Sequence, residues 1–254
     1  NWIAAHFRSP VSTVAGSQMP ALGLNENQID LLTLYTLSLR RRTLPDLYLP
    51  KDRVKAMRFG VREFLNDGQT IYTAVCASCH GANGQGNRFP GLVPNPSITN
   101  PDFLELASDD YLFTAIQKGR PGRPMLAWGE KENGFTADEM KSLIAYIRGL
   151  GGNVQFKTDT MPQIWAKGDV NFGQKLFTSN CAGCHGKTGE GLEGPALNNK
   201  MFLTSVSDTF LVETISRGRS GTIMQGFSSP SVVRRALTKE EIESIVVYVR
   251  SLGK

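Results

Sequence analysis

Gly68-Gln69-Thr70-Ile71-Tyr72-Thr73-Ala74-Val75-Cys76-Ala77-Ser78-Cys79-His80 decides how this chain is read, because it occurs again as Gly173-Gln174-Lys175-Leu176-Phe177-Thr178-Ser179-Asn180-Cys181-Ala182-Gly183-Cys184-His185. Both copies run Gly-Gln-x-aliphatic-aromatic-Thr, and both place the first Cys eight residues after the Gly. The match continues downstream, where Ala115-Ile116-Gln117-Lys118-Gly119-Arg120 parallels Thr214-Ile215-Ser216-Arg217-Gly218-Arg219. A methionine follows each, Met125 and Met224. A repeat of this length is a structural unit, and missing it would misassign the fold.

Each copy closes with a helix signal. Thr136 with Glu139, and Thr238 with Glu241, have the capping-box spacing, in which the Thr hydroxyl accepts from the third amide while the Glu reaches back. Met140, Leu143, Ile144 and Ile147, and in the second copy Ile242, Ile245, Val246 and Val249, follow at helical period. The same register appears near the N-terminus, where Asn25 and Gln28 form a weaker box and Tyr35 lies ten residues on, as Tyr146 and Tyr248 do in theirs. Met19 precedes that helix. Residues 1–44 thus read as the second half of a further unit, 60–150 and 168–254 as two complete units, with Pro-, Gly- and charge-marked linkers between. No alternating pattern of strand length persists, so the expected class is all-α: tandem small helical domains.

C-x-x-C-H is the attachment signature of c-type haem. Two thiols one helical turn apart add across the porphyrin vinyl groups, and the adjacent His comes to lie beneath the iron. The cofactor then supplies core that a unit of under ~100 residues cannot build alone. Zinc would need four ligands where each unit offers two Cys and one His, and a thioredoxin-like pair would need a βαβ context. All four cysteines of the chain fall in the two motifs. Expected iron ligands are therefore His80 and His185, opposed by Met125 and Met224, whose soft sulfur favours ferrous iron. Core filling is the plainer role for a Met, yet only these two recur after Gly-Arg and before the capped helix.

The two complete units resemble class I cytochrome c domains, over most of the chain. That resemblance implies a bundle of three or more helices around a His/Met haem. It also implies a prolyl carbonyl that accepts from the proximal imidazole, for which Pro195 matches the pattern well and Pro90 less well. Arg120, Arg219 and Trp128 are candidates for propionate contact, solvated loop positions being the blander account. The N-terminal piece looks like the Met-bearing half of a third domain, with Met19 as its ligand. Either a third haem belongs to a longer chain, or the Cys-bearing half comes from another chain, or the helix is merely structural. His6, the one histidine outside the motifs, is read as structural or propionate-facing.

Lys and Arg number 28 against 23 Asp and Glu, a formal excess of +5 that two haems, with two propionates each, would largely cancel. The basic residues are scattered, and nucleic acid is not an expected partner. No apolar run reaches the ~18 residues a membrane span needs, and the start at Asn1 without a leader reads as a mature or truncated product. The expectation is a multi-haem cytochrome relaying single electrons between respiratory or photosynthetic redox proteins, itself without catalytic residues. The alternative is an electron-transfer subunit of a larger membrane oxidase, reductase or dehydrogenase. A dihaem peroxidase needs a displaceable iron face and another His, for which only His6 is spare. Haem attachment outside the cytoplasm implies the periplasm or the outer face of a bacterial membrane.

Overall fold

The computed structural model describes residues 2–14, 17, 19, 23–38, 67–89, 93–129 and 134–253. Among these residues there are helices, turns and isolated bridges, with no strand. The chain divides into two compact units. One is residues 1–65 with 130–134; the other is residues 66–129 with 135–254 and holds both complete repeats.

In the first unit, α1 (Trp2–Arg8), α2 (Pro10–Thr13) and α3 (Glu26–Ser38) carry the described structure. The Asn25–Gln28 box is closed in both directions, Gln28 N donating to Asn25 Oδ1 at 2.9 Å and Asn25 N to Gln28 Oε1 at 3.0 Å. His6 stacks on Trp2 at 4.8 Å and bonds Thr13 Oγ1 at 2.9 Å. Met19 is half-buried, and its amide donates to Ser17 Oγ at 3.3 Å.

The larger unit is built twice from one plan. The first repeat has α4 (Gly68–Ile71), a π turn (Tyr72–Cys76), α5 (Ala77–His80), α6 (Pro101–Leu106), α7 (Asp109–Lys118) and α8 (Ala137–Leu150). The second has α9 (Val170–Asn180), α10 (Ala182–His185), α11 (Lys200–Ser205), α12 (Asp208–Arg217) and α13 (Lys239–Ser251). Side-chain caps start all but the π turn and the short Cys-His helices, in matched pairs: Asp67 and Asp169, Asn100 and Asn199, Ser108 and Ser207, with complete capping boxes at Thr136 and Thr238. Each satisfies amides that the first helical turn leaves without partners.

The first and last helices of each repeat cross at a glycine, Gly68 over Ser142 and Gly173 over Ser244. Tyr72 and Phe177, both fully buried, lie beside that crossing against Tyr146 and Tyr248. Gly81 and Gly186, at φ of 81° and 82°, end the short helices that carry the Cys-His motifs, in a left-handed conformation that costs glycine nothing.

The repeats join through an aromatic cluster of Phe103, Tyr111, Phe202 and Phe210, with centroids 5.6–6.2 Å apart. Around it the contacts obey a pseudo-dyad. Asn100 Nδ2 donates to the Ser220 carbonyl at 2.9 Å, and Asn199 Nδ2 to the Pro121 carbonyl at 3.0 Å. Arg219 lies over Phe103 at 5.4 Å and Arg120 over Phe202 at 5.6 Å. The linker after α8 is fastened down along its length. Lys157 N donates to the Glu105 carbonyl, and the Trp165 and Ala166 amides both donate to Asp208 Oδ2, at 2.6 and 2.7 Å.

Candidate haem sites

Cys76 immediately precedes α5, on which Cys79 lies, as Cys181 immediately precedes α10, which carries Cys184, and none is in a disulfide. In each pair the first thiol is half-buried and the second exposed. Burial pushes Cys76 up to about 11 and Cys181 to about 12.

His185 closes α10 with its ring buried, and its Nδ1 lies 2.8 Å from the Pro195 carbonyl. A carbonyl can only accept, so Nδ1 bears the proton and Nε2 keeps a lone pair free for a metal. Burial lowers the affinity of this ring for a second proton, and the carbonyl acts in the opposite sense. Gly194 is fitted against the same ring, since a methyl group there would lie 2.7 Å from His185 Cε1.

His80 has the same arrangement, but its acceptor is the carbonyl of Pro96, at 3.1 Å. Pro90, the sequence-based candidate, lies outside the described residues. Pro90 follows His80 by ten residues, as Pro195 follows His185, but the loop that ends at Pro96 is six residues longer than its counterpart. Counting back from the capping asparagines finds both acceptors, since Pro96 and Pro195 each stand four residues before Asn100 and Asn199.

The methionines sit in matching turns. Arg120 N donates to the Met125 carbonyl at 2.8 Å and Arg219 N to the Met224 carbonyl at 2.7 Å. Both methionine side chains are half-buried, and Met224 packs on the core. Arg120 Nη2 donates to Tyr111 Oη at 2.9 Å, and Arg219 Nη2 to Thr214 Oγ1 at 2.8 Å. Burial pulls Arg219 down to about 10, opposed by Tyr111 and by Asp102. Its Nη1 is buried with no protein partner. A guanidinium nitrogen in that position asks for an anionic oxygen. Trp128 stacks on Phe135 at 5.5 Å, and its amide donates to the Ile116 carbonyl.

These donors suit haem c. Paired thiols can form the thioethers, a free imidazole Nε2 and a thioether sulfur suit the iron, and the orphaned Arg219 nitrogen suits a propionate. When bound, the haem supplies a one-electron ferric/ferrous couple.

Comparison with known proteins agrees with the repeat. Residues 63–147 match the family described as "Cytochrome C oxidase, cbb3-type, subunit III", and residues 170–253 match "Cytochrome c". The chain is 33% identical over 199 residues to the cbb3-type cytochrome c oxidase subunit FixP of Bradyrhizobium diazoefficiens, covering 73% of this chain and 60% of that protein. It is 28% identical over 236 residues to subunit CcoP of Azospirillum sp. strain B510, covering 86% and 70%. Two cytochrome c domains bring two covalently bound haem c groups. The chain belongs to the class I cytochromes c, as a tandem, multi-haem member.

Proposed function

We propose that this chain is the electron-relaying part of a cbb3-type oxidase subunit, passing single electrons through its two haems to a partner subunit where oxygen is reduced. The observation that carries this reading is the pair of C-x-x-C-H sites, each backed by a prolyl carbonyl, inside one compact unit. His80 and His185 are the proximal ligands in this reading, Met125 and Met224 the distal ones, and Arg120 and Arg219 face propionates. These histidines and methionines would hold both faces of each iron and leave no position for a substrate, which favours transfer over catalysis. The similarity to FixP and CcoP supports the oxidase partner and a periplasmic position. No helix among the described residues is long and apolar enough to cross a membrane, and the chain spans 60–70% of the lengths of those two relatives.

The test is expression of the tagged chain in a host that attaches haem c. Two haems per chain by intact mass, two one-electron waves and recovery from membranes together with oxidase subunits are expected. Recovery as a free soluble carrier would remove the oxidase assignment. Turnover of hydrogen peroxide would overturn the electron-relay reading.

A further inference from the structure

The pseudo-dyad between the repeats holds for shape and for the cations that end the two matching helices. It fails for acids, and for Arg123, whose Nη2 donates to Asn198 Oδ1 at 3.1 Å on the Met125 side and whose counterpart is the uncharged Thr222. Lys118 corresponds to Arg217 and Arg120 to Arg219 in the two matching helix ends. Against the turn that carries Met224, however, α6 of the first repeat sets two carboxylates. Asp102 Oδ2 accepts from Ser220 N at 2.6 Å, and Glu105 Oε2 pairs with Arg217 Nη1 at 2.9 Å. The corresponding positions on α11 are Met201 and Thr204, which carry no charge. Pro121 stands where Ser220 does and has no amide hydrogen to offer. Both partners of the Asp102 contact are therefore missing on the Met125 side. The Ser220 amide holds the Asp102 carboxyl below its ordinary range, with Arg217 and Arg219 helping, so it is ionised at neutral pH.

We propose that Asp102 and Glu105 tune one haem across the interface: they lower the reduction potential of the haem attached at Cys181 and Cys184 and leave the haem at Cys76 and Cys79 unshifted. The step affected is the gain of one electron by ferric iron to give ferrous iron. It removes one positive charge from the site, and a neighbouring carboxylate opposes that loss. Arg219 and Met224 share one turn, so charge placed against that turn is felt by the second haem. The half-reduced protein consequently holds its electron on the first haem more often than it would without these two acids. This inference rests on Met224 as the distal ligand of the second haem.

The experiment is a spectroelectrochemical titration of the intact two-haem protein. Met224→His identifies the second haem's wave, since imidazole in place of thioether lowers that potential. Asp102→Asn and Glu105→Gln are each expected to raise the second wave and leave the first in place, increasing severalfold the ferrous fraction of the second haem at fixed potential. Met201→Asp, which puts an acid at the dyad-related position, is expected to lower the first wave only. Asp138→Asn, an exposed acid on α8 with its side chain 81% accessible, controls for net charge and should move neither. Equal shifts of both waves in Asp102→Asn, or no shift in any interface variant, would overturn the tuning. If Met224→His leaves both waves unchanged, the ligand assignment falls and the tuning with it.

Discussion

Gly173 packs on the main-chain carbonyl of Ser244 so closely that a methyl group built on its α-carbon would sit 2.0 Å from the oxygen. Gly68 stands in the same relation to Ser142, at 2.1 Å. The obstacle is backbone, which cannot rotate aside, so the helices would have to separate. Gly173→Ala and Gly68→Ala should each cost about 2 kcal/mol or more, although alanine normally favours a helix. Chemical denaturation of the haem-loaded variants measures this, and stability at or above wild type would contradict the packing.

Asp208 and Asp109 occupy matching places but different surroundings. Asp208, its side chain 1% accessible, pairs with Arg250 Nε at 2.8 Å and receives the Trp165 and Ala166 amides. Asp109 pairs with Arg148 Nε at 2.6 Å with its side chain 67% accessible. Asp208→Ala leaves a half-buried guanidinium and two amides without their acceptor, and should cost about 3 kcal/mol. Asp109→Ala should cost under about 1 kcal/mol. Equal losses in thermal unfolding would refute the distinction.

Ligation can be read from the spectrum. Met125→Ala and Met224→Ala should each remove part of the weak red charge-transfer band of ferric His/Met haem, and lower one potential. Full retention of the band in either variant would exclude that methionine. Gly194→Ala presses on the ring of His185 and should reduce haem incorporation at the second site alone, as quantified by intact mass.

Acid stability should depend on Glu241. The bond from Arg235, and then that from the Thr238 amide, hold its carboxyl at about 2. Because the folded value lies below the unfolded one of about 4.3, its contribution is present above that pH and fades as pH falls toward 2. Glu241→Gln should be less stable at neutral pH by about 1 kcal/mol through the weakened cap. It should also show a shallower loss of stability on acidification. Parallel pH profiles would contradict the assignment.

Much of the site was legible because attachment chemistry is local. The Cys pairs and their histidines lie within single turns of chain, as do the capping boxes that start the closing helices, and there spacing dictates geometry. Pro96 was not among the candidates: loop length between fixed points is free to vary, and only the interval back from the Asn100 and Asn199 caps is the same in both repeats. The contact between the two repeats was not legible, since their aromatic interface and strapped connection join residues far apart in the chain.

The sequence alone determined two C-x-x-C-H motifs, hence two covalent haems, and an all-helical class, since each depends on residues a few positions apart. Only the tertiary structure decided that Asn100 reaches Ser220, that Glu105 meets Arg217 and that Arg219 retains an unpartnered buried nitrogen. Those relations join residues 112 to 120 positions apart, or depend on what solvent is excluded, and no local pattern encodes them.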